Sequence, residues 1–211
     1  MSGAGAPDCP PGAGDALREG LRRHFTPEQL ARLGRARVGI AGAGGLGSNA
    51  ALMLARSGVE DFLLIDHDVV EPSNLNRQQF WPRHVGRLKV EALAELLREL
   101  NPHIRLELAP LRLDAATLPG LLPSCPIWVE AVDAPETKTL LVERALLAGL
   151  RVASASGMAG VGGPPMGRRR LGNLTLVGDF QSDVANAPPL APRVTQAAAL
   201  LADAALEFIF A

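Results

Sequence analysis

Apolar positions along the chain fall into short runs separated by longer amphipathic stretches, and the alternation outlines the elements. Runs at 37–42, 61–66, 104–110, 127–132 and 151–155 predict strands. Between them, helical spacing of apolar residues covers 46–57, 86–100 and 135–148, with a short helix near 114–122. Strand and helix in turn imply a Rossmann-like, doubly wound α/β fold, a mostly parallel sheet with helices on both faces. Ahead of this core, Asp15 to about His24 reads as a basic amphipathic helix. Thr26-Pro27-Glu28-Gln29 opens another, with Thr26 as cap, Pro27 in the first turn and Gln29 reaching back. From 157 to 172 a glycine- and proline-rich segment carrying Arg168, Arg169 and Arg170 breaks the rhythm; a strand around Leu174 and Leu176, a polar loop at 179–192 and a closing helix follow.

Residues 1–14 are mostly Gly, Ala, Pro and Ser and are expected to be a disordered tail. Residues 15–211 are expected to form one domain, with N-terminal helices at 15–36, the alternating core at 37–155, and a crossover segment, strand and helix at 156–211. Lys and Arg number 21 against 22 Asp and Glu, a net charge of −1, so no overall basic field would hold a nucleic acid. Two cysteines, Cys9 and Cys125, cannot supply a four-thiolate zinc site, and their distance in sequence suits a reducing compartment such as the cytoplasm. No apolar stretch reaches the ~18 residues that a membrane span needs, so no membrane association is expected.

Candidate chemistry concentrates at the carboxyl ends of the predicted strands. Gly42, Gly44 and Gly47 follow the first strand and open the next helix, where backbone amides and the positive helix end favour a phosphate. Asp66 ends the second strand, about where a carboxylate accepts hydrogen bonds from a nucleotide ribose. Ribose binding alone leaves NAD and ATP open, as it does hydride transfer or a nucleotide-binding scaffold without catalysis. Asn74, Arg77 and Gln78 in the following loop, with Lys89 on the next helix, favour ATP, because charge developing on an α-phosphate and a departing pyrophosphate needs such a cluster. Asp133 ends the fourth strand and either holds Mg²⁺ against the phosphates or caps helix 135–148. Lys138 reads as a solvated helix lysine, His67 and His84 lack a Cys or His partner at ligand spacing, and Cys125 reads as structural.

Several motifs together resemble the ThiF/MoeB family of sulfur-carrier adenylyltransferases, whose fold is shared with ubiquitin-activating enzymes. They are Gly42-Ala43-Gly44-Gly45-Leu46-Gly47-Ser48, Asp66-His67-Asp68-Val69-Val70, Ser73-Asn74-Leu75-Asn76-Arg77-Gln78, Gly86-Arg87-Leu88-Lys89-Val90-Glu91, Asn101-Pro102 and Val132-Asp133. Ala155-Ser156-Gly157-Met158-Ala159-Gly160, Val177-Gly178-Asp179 and Ala191-Pro192-Arg193-Val194 are similar to the short form of thiamine biosynthesis. The resemblance implies ATP bound by Gly42, Gly44, Gly45, Leu46, Gly47, Asp66, Asp68, Asn74 and Gln78, with Arg77, Lys89 and Asp133 in catalysis and Mg²⁺ at Asp133. It implies adenylation of the terminal glycine carboxylate of a small ubiquitin-like carrier resembling ThiS, a molybdopterin-type carrier being the alternative. It further implies a homodimer in which Arg22 or Arg23 completes the partner's site. Longer members carry two Cys-x-x-Cys pairs for structural zinc and a reactive cysteine in the crossover; this chain has neither, so no structural zinc and no covalent carrier intermediate are expected.

Overall fold

The computed structural model describes residues 15–211; the tail expected at 1–14 lies outside them. The elements run α1 (Ala16–Leu21), α2 (Pro27–Arg35), β1 (Arg37–Ala41), α3 (Gly45–Arg56), β2 (Asp61–Ile65), α4 (Lys89–Leu100), β3 (Arg105–Ala109), α5 (Leu118–Leu121), β4 (Ile127–Glu130), α6 (Pro135–Leu147), β5 (Arg151–Ala155), β6 (Gly167–Leu171), β7 (Leu174–Gly178) and α7 (Ala191–Phe210). They build one seven-stranded sheet in the order β3-β2-β1-β4-β5-β7-β6. Every pair is parallel except β6 with β7. The chain order reverses between β1 and β4, which opens a crevice at the strands' carboxyl ends.

Side chains alternate across the sheet and bury both faces. Val38 and Ile40 of β1, with Phe62 and Leu64 of β2, meet α3, α4 and α7 in a core that includes Leu54, Leu93, Leu201 and Phe208. Ala41, Leu63, Ile65 and Trp128 face the opposite way, onto α5 and α6 through Leu118 and Leu141. Trp128 is wholly buried, its indole N–H donating to the carbonyls of Cys125 at 3.0 Å and Leu122 at 3.3 Å. The sheet's amino end is laced by ion pairs: Arg37 reaches Asp61 at 3.0 Å and also Glu107, and Arg105 reaches Asp61 at 3.2 Å. No helix among the described residues is long and apolar enough to cross a membrane.

The Thr26 capping box forms as expected, with Gln29 N–H donating to Thr26 Oγ1 at 3.2 Å and Thr26 N–H to Gln29 Oε1 at 2.9 Å. Three expectations need correction. The first helix stops at Leu21, short of His24, and buries none of its residues; the Arg18–Glu60 pair (2.7 Å) at the start of β2 and the pair of its N-cap Asp15 with His103 (3.0 Å) hold it to the domain. The short helix near 114–122 is confined to Leu118–Leu121 and passes directly into a 3-10 turn at Leu122–Ser124, since prolines punctuate the segment. The arginine-bearing half of 157–172 is strand β6: Gly172-Asn173 makes a two-residue hairpin that pairs Leu171 with Leu174.

Strand β1 runs so close beneath Trp128 that a methyl group on Gly39 would lie 2.6 Å from the indole ring. Gly39→Ala is therefore expected to destabilise the protein by about 1–3 kcal/mol, as overpacking does. In a Trp128→Leu background the same change should cost less than half as much, because the two sites share one space. Urea denaturation of the four proteins checks this, and equal costs in both backgrounds would show that the ring is not what excludes the methyl.

Candidate active site

The crevice is shaped first by the turn from β1 into α3. Gly42 has φ of +95°, and a Cβ there would come within 2.5 Å of the Ala131 carbonyl oxygen. A Cβ on Gly47 would overlap the Gly42 carbonyl oxygen, so α3 leaves the strand at backbone contact distance and Gly44 serves as its N-cap. The opening amides of α3 are thereby left for an anion.

Asp66, one residue past β2, braces that turn. Its carboxylate accepts hydrogen bonds from the N–H groups of Ala43 at 2.7 Å and Asp68 at 2.8 Å. Lys89, buried at the start of α4, donates from Nζ to Asp68 Oδ2 at 2.7 Å, and this ammonium holds the Asp68 carboxyl below the usual carboxylate range. His67 Nε2 lies 3.4 Å from the same carboxylate. A cavity of about 280 Å³ opens here, lined by Gly42, Gly44, Asp66, Asp68, Lys89 and Asp133 among others.

The candidates of the 73–78 loop and of the α3 first turn sit around this cavity and, Gly44 apart, do not line it. Asn74 is buried in a 3-10 turn, Pro72–Asn74, its Oδ1 accepting from Glu71 N–H at 3.1 Å. The Arg77 guanidinium donates to Ser73 O at 3.0 Å and Asn76 Oδ1 at 2.8 Å, while its methylene groups lie over Gly45. Gln78 places its amide nitrogen beside Gly44, and its Oε1 is buried without a partner among the described residues. Gly45, Leu46 and Gly47 are the first turn of α3, Gly45 facing Val194 of α7. Arg22 borders a separate groove of about 640 Å³ with Leu21, Phe25 and Leu30, by Glu60 and so at the opposite end of β2.

Two sequence readings change. Asp133 does not cap α6, whose N-cap is Ala134 with no side-chain bond; its carboxylate is exposed at the cavity wall. Lys138 is not a solvated helix lysine: it pairs with Glu130, which is wholly buried, and donates to the Ala155 carbonyl at 3.2 Å. Glu130 had no signal of its own, because inside an apolar run its acid reads as one interruption and its partners are distant in sequence. Arg112, Leu111 and Leu113 also line the cavity, and their place just past β3, at a strand's carboxyl end, was the available clue. His67 has carboxylate neighbours in place of the sought Cys or His, ligand atoms of Asp66, His67 and Asp68 lying within 4.8 Å of one another. His84 is buried and structural, Nδ1 accepting from Trp81 N–H at 3.0 Å and Nε2 facing Glu95 at 3.2 Å. Burial pushes the Cys125 thiol up despite Ser124 and Arg37 alongside, which suits an inert side chain.

The crossover after β5 is pinned to α7. Burial works against a charge on Asp179, yet the N–H groups of Ser182 and Gln181, each 2.8 Å away, and the Arg193 guanidinium hold its carboxyl well below the ordinary range. Arg193 also donates to the carbonyls of Gly162 and Pro164, so 157–166 is tied to the first turn of the helix.

Comparison with known proteins agrees with this architecture. The adenylyltransferase and sulfurtransferase uba4 of Emericella nidulans is 41% identical over 128 residues, 60% of this chain and 27% of that protein. Its counterpart in Aspergillus terreus is 42% identical over 133 residues, 63% of this chain and 27% of the relative. The chain thus spans about a quarter of the length of these curated relatives. Among solved structures, E. coli tRNA N6-threonylcarbamoyladenosine dehydratase TcdA in complex with ATP superposes with a TM-score of 0.84, covering 94% of this chain and 96% of that one; at 21% identity this shows the shared fold. E. coli MccB with ATP gives a TM-score of 0.69 at 28% identity, over 86% of this chain and 58% of that chain. The model of the ThiF family matches residues 18–176, most of the fold described above, and the chain belongs to that family.

Proposed function

We propose that the chain is an ATP-dependent adenylyltransferase that activates the C-terminal glycine carboxylate of a small ubiquitin-like sulfur carrier, in the finer reading a ThiS-like carrier of thiamine thiazole synthesis. The observation that carries the proposal is one cavity holding a glycine turn at a helix N-terminus, the Asp66 carboxylate and a buried Lys89. The relatives named adenylyltransferase and the neighbours solved with ATP support it.

In this reading Asp66 receives the ribose, and the α3 amides with Arg77 and Gln78 receive the phosphates. The carrier carboxylate attacks the α-phosphorus in line and pyrophosphate departs, so the protein supplies position and charge and forms no covalent bond. Lys89 is the mobile charge: now paired with Asp68, it transfers its hydrogen bonds to the α-phosphate as negative charge builds there. Asp133, with the Asp68 carboxylate on the same cavity, fits a hard cation such as Mg²⁺, which would neutralise the departing pyrophosphate. The pinned crossover at 157–166 frames the path of the carrier's flexible tail. Residues 15–211 work as one unit in the cytoplasm, in a homodimer to which Arg22 or Arg23 contributes.

The test is carrier-dependent exchange of labelled pyrophosphate into ATP, run with thiamine-type and molybdopterin-type carriers; no exchange with any carrier would overturn the assignment. Lys89→Ala should lose about a hundredfold or more in exchange rate with its urea midpoint kept, as removal of one preorganised charge from a reacting centre does. Wild-type exchange by that variant would remove Lys89 from the chemistry. Asp133→Asn should raise the Mg²⁺ concentration needed for half-maximal exchange, since the amide keeps size and loses charge; an unchanged magnesium titration would exclude Asp133 as the cation's anchor.

A further inference from the structure

Glu130 is the last residue of β4 and is entirely shielded from water. A carboxylate in that position is costly unless both oxygens are hydrogen-bonded and the charge is paired, and here both conditions are met. Oε1 accepts from Val132 N–H at 2.9 Å; Oε2 accepts from Ser154 Oγ at 2.6 Å and from Lys138 Nζ. Lys138, one turn into α6, also donates to the Ala155 carbonyl at the end of β5 at 3.2 Å. An apolar residue would extend β4 equally well, so the strand itself gives no reason for the charge. The reason lies in what the network joins. Val132 belongs to the turn 131–134, whose four residues all line the nucleotide cavity, and Ala155 leads into Ser156 and Gly157, whose carbonyls accept from Phe180 and Asp179 at 3.0 Å.

We propose that Glu130 and Lys138 are positioning residues, a buried clasp that fixes the turn 131–134 so that Asp133 faces the cavity and locks that wall to the start of the crossover. The inference deepens the proposed function and rests on it for the cation at Asp133. Neither residue touches the cavity itself; both act through the Val132 amide and the α6 N-terminus. Loss of the Glu130 charge frees Lys138, whose side chain is 30% exposed, to turn outward, and the turn is then held by one amide bond in place of a clasp.

The experiment measures ATP binding by calorimetry in Mg²⁺ and in EDTA, alongside urea midpoints, for wild type, Glu130→Gln, Lys138→Arg, Glu130→Gln/Lys138→Met, Asp133→Asn and Glu130→Gln/Asp133→Asn. Glu130→Gln is isosteric and keeps an acceptor for Val132; the charge-free double variant leaves no unpaired buried ion. Both should leave the EDTA affinity within about twofold while lowering the Mg²⁺-dependent gain by about tenfold, the usual cost of removing a group that orients a metal-binding side chain. Lys138→Arg should retain the gain. Glu130→Gln added to Asp133→Asn should weaken binding no further than Asp133→Asn alone, because both changes act on one carboxylate. A folded Glu130→Gln protein with the full magnesium gain overturns the proposal, as does an additive effect with Asp133→Asn or a parallel fall in both affinities that tracks lost stability. Absence of a magnesium gain in wild type would instead overturn the cation assignment on which the clasp depends.

Discussion

The contact between the Gly42 carbonyl and Gly47 is the constraint from which the rest of the molecule is laid out. It lets α3 leave β1 without a side chain between strand and helix, and so sets how near the helix axis comes to the sheet. With that distance fixed, Ala50, Ala51 and Ala55 bring α3 flat against its neighbours, and α7 packs along it through Ala197, Ala198, Leu201 and Ala205. Small residues on both helices match the narrow gap, and large ones would push the layer off the sheet. The same turn leaves the α3 amides at the mouth of the crevice, so the packing solution and the anion site are one backbone conformation.

Charge is distributed along the strands in a consistent direction. At the amino end, Arg37 and Arg105 pair with Asp61, and Arg32 at 2.9 Å and Arg151 hold the last carbonyls of α7, where a helix dipole favours cations. At the carboxyl end the fixed groups are mainly acids, Asp66, Asp68, Glu130, Asp133 and Asp179. Lys89, Lys138 and Arg193 each neutralise one of them, and Asp133 has no ion-pair partner among the described residues. An anionic nucleotide entering such an end is received by amides and a displaceable lysine, and the surplus carboxylate calls for a cation to accompany it.

The alternating core was readable because each strand is a local apolar run and each helix a local periodicity; β1 to β5 lie where the pattern puts them. The capping box at Thr26 was readable for the same reason, a spacing of few residues with one geometric meaning. Strand β6 was obscured by the glycines and prolines just before it, although the Gly172-Asn173 turn marked the hairpin. Glu130, Ser154 and Lys138 lay beyond reach, since a strand end, a neighbouring strand end and a helix meet only once the sheet order is known. Asn74 shows another limit: its place in a motif carries no sign that its amide also caps a turn, because that bond to the Glu71 N–H appears only in the folded loop.

The outer strands of the sheet differ from the inner ones in carrying charge on exposed positions. Arg168, Arg169 and Arg170 crowd β6, two of them anchored to Glu207 and one resting on the Phe180 ring at 4.1 Å; Arg105 and Glu107 stand on β3. Stacking another strand against either border would strip water from these groups, and at β6 a second copy would also press like charges together. Charge on the border strands therefore disfavours the edge-to-edge pairing through which sheets grow into fibres.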